Sequence, residues 1–182
     1  MYSNRKKEEK QRRIEAHEKK TRHVVSQLLH DMFINNQLQL EQTHTKCHVD
    51  IRITADNNTY DIEVKTRNKD VNKYPTVELK HSKLRNMQID HINNTLMYFV
   101  IVNNSVGYFF NLSQLDWDEI DTKILHIKKV EYDDDSEYED VPAYILPLNE
   151  AVLKVNVKPY LQHYANIKSK TFTPTISKKK AC

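Results

Sequence analysis

A chain of 182 residues, 38% hydrophobic and 29% charged, is long enough to bury one core and too polar for a membrane protein. Its longest apolar run, around Met97 to Val102, falls far short of the roughly 20 residues that span a bilayer, and the charged segment Met1 to Lys10 has no apolar stretch of a signal peptide behind it. A single glycine excludes the Gly-rich phosphate loops of nucleotide-driven enzymes.

The two cysteines, Cys47 and Cys182, supply neither a disulfide framework nor a CxxC metal site. The expectation is a cytoplasmic protein, or a nuclear one in a eukaryotic host, not secreted, with free thiols and no membrane partner. A net charge of +3 hides an uneven distribution. Arg12, Arg13, Lys19, Lys20 and Arg22 crowd the first segment, Lys178 to Lys180 lie close to the last residue, and acids gather between Glu131 and Asp140. Basic ends suit contact with a phosphate backbone, and equally a merely solvated surface.

From Glu8 to Asn36 there is no Pro or Gly, and Val25, Leu28, Leu29, Met32 and Phe33 recur at helical spacing, which predicts one long amphipathic helix. Three strands are expected next. Leu38 to Gln42 alternates weakly. His48 to Thr54 puts Val49, Ile51 and Ile53 on one face and His48, Asp50 and Arg52 on the other. After the turn residues Asp56, Asn57 and Asn58, Tyr60 to Arg67 turns Ile62 and Val64 inward and Asp61, Glu63 and Lys65 outward.

Tyr74-Pro75 marks a turn or a short extended piece, and His81 to Asn93 reads as a second helix with Leu84, Met87, Ile89 and Ile92 as its apolar positions. The β-forming run Leu96 to Asn103 is too short for a typical helix and is expected as a buried central strand, followed by a strand over Gly107 to Leu112 and a short helix over Leu115 to Ile120. Lys123 to Val130 and Val141 to Leu146 form a predicted hairpin with the acidic stretch at its tip, and Val157 to Ala165 a last helix before a basic tail. The order is α/β.

Chemistry concentrates on two of these strands. Period-2 geometry places Glu63 and Lys65 on one face of a strand, and a hairpin brings Asp50 to the same polar face. Two carboxylates there make a hard oxygen site suited to Mg²⁺ or Mn²⁺, completed by waters and a phosphate oxygen. Lys65 then has two candidate roles: orienting or deprotonating an attacking water, or neutralising charge that develops on a phosphoryl group. The residues leave both open.

Val49-Asp50 followed by Ile62-Glu63-Val64-Lys65 resembles the PD-(D/E)xK nuclease superfamily, and is most similar to archaeal Holliday-junction resolvase-like endonucleases. The resemblance implies a restriction-endonuclease-like core, αβββαβ, with a central mixed sheet flanked by helices and with C-terminal β-hairpin and helix additions. The implied layout is a basic helical extension over 1–22, a nuclease core over 15–112, additions over 113–170 with the acidic loop 131–140, and a basic tail over 171–182.

The implied activity is a metal-dependent endonuclease, with DNA ahead of RNA as substrate and a homodimer as the assembly. Structure-specific, resolvase-like cutting would fit. The implied roles are Asp50 and Glu63 as metal ligands and Lys65 as catalytic amine. Glu18 joins them as a further acidic ligand from the first helix, with Glu15 as its alternate. Gln88 resembles a glutamine that some branches place near the site, though Ile92 stands where their tyrosine would be, and Val49 stands where many relatives have proline.

Arg12, Arg13, Lys19, Lys20, Arg22, Arg67, Lys80, Lys83 and Arg85 are the candidate nucleic-acid contacts, and His48 an accessory group on the face of Asp50. Two other readings stand beside a DNA endonuclease: an RNA endonuclease of the same fold, and an inactive module that binds nucleic acid or protein. His44, Cys47 and His48 lack the second pair that a zinc site needs. Tyr98, Tyr108, Phe109 and Phe110 are expected in the core rather than stacked on bases.

Overall fold

The computed structural model describes residues 2–32, 39–43, 48–55, 57–90, 93–129 and 137–171. Both cysteines, the basic tail beyond residue 171, Phe33, Ile92 and most of the acidic loop lie outside the described residues.

Helix α1 (Tyr2–Met32) is longer than its apolar stripe, because Val24, Val25, Leu28 and Leu29 are buried while the charged residues before Thr21 stay largely in solvent. Four strands follow: β1 (Gln39–Gln42), β2 (Ile51–Ala55), β3 (Asn58–Arg67) and β4 (Thr76–Lys80). Then come α2 (His81–Asp90), β5 (Thr95–Val102), β6 (Val106–Asn111), β7 (Thr122–Lys128), β8 (Tyr138–Pro147), β9 (Leu153–Asn156) and α3 (Lys158–Thr171).

Six strands form a mixed sheet in the order β1-β2-β3-β5-β6-β9. Only β3 and β5 run parallel, with α2 in the crossover between them, and every other pair is antiparallel. The expected α/β class with a central mixed sheet is what the chain adopts. Val25, Leu28 and Leu29 of α1 cover one face, against Ile51, Ile53, Ile62, Phe99, Ile101 and Phe109, with α3 beside them. Leu84 and Met87 of α2, with Val77 and Leu79 of β4, cover the other, against Tyr98, Val100, Val102 and Phe110. Gly107 has a local reason: a Cβ there would come within 2.3 Å of the Phe99 ring, which stacks on Phe109 at 4.0 Å.

Several sequence expectations change. The second strand begins at Ile51, not His48, because the chain bends over residues 48–50; Val49 is therefore buried in the cluster opposite to Ile51 and Ile53. Asp61 and Glu63 do not face solvent: β3 is a central strand covered on both sides, and they are 0% and 1% exposed. Thr76 to Lys80 is a full strand that leaves the main sheet and pairs with β8, whose other partner is β7. The segment 115–120 holds turns rather than a helix, with Trp117 donating to the Leu112 carbonyl. Ile89 is exposed, off the buried stripe of α2. The edge strand β9 was not foreseen; its four residues are mostly exposed and carry too little alternation to read.

Candidate active site

Strand β2 stops pairing at Ile51, opposite Ile62, whereas β3 runs on to Arg67. Past that point β3 still has β5 on one side, but the side that β2 covered is open. The Val64 amide would be left without a ladder partner. Asp50 supplies one: its Oδ2 accepts from Val64 N–H at 2.9 Å, while its own amide donates to the Ile62 carbonyl at 2.9 Å. The bend over residues 48–50 thus converts a strand position into a side-chain cap on β3, and fixes Asp50 at the edge of the opening.

The opening is a cleft of about 620 Å³. One wall is the polar half of α1, from Lys10 through Arg13, His17 and Glu18 to Arg22; the floor is Glu63 to Arg67; the far wall is Glu78 to Lys80 with Ser82, Lys83 and Asn86. His17 Nε2 lies 2.9 Å from Thr66 Oγ1, tying the solvated part of α1 to the end of β3.

Glu63 sits at the bottom. Its neighbour across the parallel register is Tyr98, whose hydroxyl donates to the Glu78 carbonyl at 3.0 Å and whose pKa burial pushes far up. Lys83 Nζ of α2 lies 2.7 Å from Glu63 Oε2, and Lys65 Nζ 3.3 Å from Oε1. Both ammonium groups form ion pairs with Glu63, Lys83 the closer, while no backbone amide or neutral side-chain donor among the described residues reaches either buried oxygen. Burial, then the charge of Asp50, push the Glu63 carboxyl up to about 7 against the opposing pull of Lys65 and Lys83. A carboxyl raised that far, on the floor of a cleft, is the kind of group that functional sites collect.

Of the acids expected together, Asp50, Glu63 and Glu18 all line the cleft, and Lys65 stands with them. Glu18 is exposed on the α1 wall, and no group of three or more His, Cys, Asp or Glu side chains gathers closely enough for a metal cage among the described residues. Asp50 and Glu63 remain as two hard oxygen donors. That suits an ion such as Mg²⁺, which takes one or two carboxylates and fills its octahedron with waters and substrate phosphate. Among the described residues neither oxygen of Glu63 is tied to a backbone amide, and both already face cations, which fits such an ion as well.

The basic candidates divide. Arg13, Arg22, Arg67, Lys80 and Lys83 line the cleft; Arg12, Lys19, Lys20 and Arg85 do not. Arg22, expected on a nucleic-acid phosphate, instead forms an ion pair with Asp50 Oδ1 at 2.6 Å, and Lys83 is engaged with Glu63. Gln88 lies with Arg85 in a second hollow beside Tyr144 and does not line the cleft, while Asn86 of the same helix borders both. His48 is half-buried beside the bend and does not line the cleft.

Glu78 was missed. It accepts from Lys69 at 2.9 Å and has Lys123 at 3.6 Å; burial opposes its ionisation, but these partners hold its pKa below the usual carboxylate value. Its only sequence signal would have been strand alternation over residues 76–80.

No family model matches the chain. No curated protein matches it either. Among solved structures the chain is similar to that of Archaeoglobus fulgidus Hjc, a Holliday junction resolvase from an archaeal hyperthermophile. The identity is 10% over 73% of this chain and 96% of that chain, with a TM-score of 0.42. A likeness that distant carries no argument about the site.

Proposed function

We propose that the chain is a divalent-metal-dependent nuclease that hydrolyses phosphodiester bonds in the cleft between α1 and α2, with DNA as the first substrate to test. The observation that carries this reading is Glu63. It is a carboxylate 1% exposed, met among the described residues by the ammonium groups of Lys65 and Lys83 and by no backbone amide, beside Asp50 on the floor of an open basic-walled cleft.

In this reading Asp50 and Glu63 hold Mg²⁺ or Mn²⁺. When bound, the ion supplies Lewis-acid polarisation of the phosphoryl group and lowers the pKa of a coordinated water. The protein does the rest. Val64 N–H fixes the Asp50 carboxylate, so its geometry is set before any ligand arrives. Lys65, half-buried beside Glu63, presents an ammonium where charge develops on the phosphate and can orient the attacking water as a donor. Arg13, Arg67 and Lys80 give the walls positive charge for the flanking phosphates. Glu18, on the α1 wall, is a candidate for an outer ligand through water.

The test is to incubate the full chain with single-stranded, duplex and four-way-junction DNA and with RNA, with and without Mn²⁺. Divalent-dependent cleavage that vanishes in Lys65→Ala supports the reading. Normal cleavage by Asp50→Ala removes it. One observation favours a second reading: Arg22 and Lys83 already neutralise both carboxylates. An inactive nucleic-acid-binding module would show salt-sensitive binding, no cleavage in any divalent ion, and the same affinity in Lys65→Ala.

A further inference from the structure

Resting on that reading, we infer that Arg22 and Lys83 are exchangeable cations: each occupies a carboxylate that the metal must take, and each transfers to the substrate phosphate when the metal arrives.

The geometry is specific. Asp50 has one oxygen committed to the Val64 amide and the other to Arg22 at 2.6 Å. Glu63 has Lys83 at 2.7 Å on one oxygen. The two cations come from opposite walls, α1 and α2, and their side chains are 21% and 27% exposed, so each retains a path into the cleft. Asp50 and Glu63, which would hold a divalent ion, could not also keep the Arg22 guanidinium and the Lys83 ammonium at contact distance, because like charges repel strongly in a partly desolvated site. Loading of the site would therefore release both.

A released guanidinium offers a planar fork of donors that matches phosphate, and a released ammonium a point charge for the same anion. The arriving phosphodiester gives both cations a new partner, so metal and nucleic acid bind more tightly together than either alone, with reciprocal coupling. The ordinary alternative is that Arg22 only holds Asp50 in place. The two accounts predict opposite signs. If Arg22 merely positions Asp50, removing it weakens metal binding. If Arg22 competes for Asp50, removing it tightens metal binding.

The experiment is a Mn²⁺ titration of the full chain without nucleic acid, read by the electron paramagnetic resonance of free Mn²⁺. Arg22→Gln and Lys83→Gln are each expected to lower the Mn²⁺ Kd by about tenfold, within the usual span of coupled sites. Arg13→Gln, which removes a cleft-wall cation paired with Glu9 rather than with Asp50 or Glu63, is expected to change it by less than about twofold because its exposed charge is screened. A labelled duplex followed by anisotropy should bind wild type more tightly on addition of Ca²⁺, and Arg22→Gln should lose most of that gain.

Unchanged or weaker Mn²⁺ binding in folded Arg22→Gln overturns the inference, as does equal tightening in Arg13→Gln. Should Arg22→Gln fail to fold, Lys83→Gln alone decides by the same sign. A wild-type chain that takes up no Mn²⁺ at all would instead remove the metal-nuclease reading, and this inference with it.

Discussion

Asp61 and Glu63 stand two residues apart on one face of β3, both carboxylates, both almost wholly buried. Asp61 is satisfied: Arg52, its cross-strand neighbour, donates to both its oxygens at 2.8 and 3.2 Å, and Asn94 donates to Oδ2 at 2.5 Å. Glu63 has two ammonium groups against it and, among the described residues, no guanidinium fork, amide or backbone donor. The difference follows from the sheet. Opposite Asp61 the β2–β3 ladder is intact and presents Arg52 in register; beyond Ile62 the ladder ends, and what stands beside β3 is a cleft. Burial alone therefore does not mark a functional acid. What separates these two acids is their partners: a guanidinium in register and an amide for Asp61, and two ammonium groups at the place where pairing stops for Glu63.

The largest effect that would sharpen this contrast is on catalysis. Glu63→Gln keeps the shape and removes the charge, and is expected to cut Mn²⁺-dependent cleavage at least about a thousandfold, roughly 4 kcal/mol of barrier. Initial cleavage rates check it. Loss of folding stability in the same variant would break the comparison, since Glu63 would then be structural too.

Asp61→Ala should show the reverse. It removes the acceptor that Arg52 and Asn94 share and is expected to cost about 3 kcal/mol in urea unfolding, at the low end for broken buried pairs because Arg52 is partly exposed. Cleavage per folded molecule should stay within a few-fold of wild type.

A third, smaller effect concerns pH. The Glu63 carboxyl, pushed to about 7 when folded, keeps its proton over a range in which the unfolded chain, near 4.5, has lost it. Its contribution to metal-free stability is fully present below about pH 4.5, falls as pH rises to about 7, and is flat above, a change on the order of 3 kcal/mol. Unfolding of metal-free wild type and Glu63→Gln across that window isolates the contribution, because the glutamine variant lacks the slope. A wild-type curve parallel to that of the variant would contradict the desolvation of Glu63.

The smallest effect is expected at a solvated pair. His126 and Asp140 approach to 2.9 Å on the β7–β8 ribbon with both side chains about 70% exposed, and His126→Ala should cost less than about 1 kcal/mol. Denaturation midpoints measured beside Asp61→Ala place the two ion pairs on one scale.

Much of this was legible in the residues. The apolar stripe Val25, Leu28, Leu29 identified α1, the run Leu96 to Val102 identified a central strand, and the alternation over Tyr60 to Arg67 put Glu63 and Lys65 on one face. Those signals are local: they arise from periodicity within one element. The assignment of Asp61, Glu63 and Lys65 to an outward face was misjudged for Asp61 and Glu63. Alternation gives the face but not what covers it, and here β4 and α2 do. Strand β4 itself, with Glu78, was hidden because its partner β8 lies more than sixty residues further along the chain.

What the sequence determined by itself was the set of elements and the chemical inventory: hard oxygen donors, a nearby amine and basic residues, each carried by a short-range pattern. What only the tertiary structure decided was which of those groups meet. The end of β2 at Ile51, the capping of Val64 by Asp50, and the arrival of Arg22 and Lys83 from opposite walls are all long-range events. Residues brought together by chain closure leave no periodicity in the sequence, because their spacing along the chain is unrelated to their distance in space.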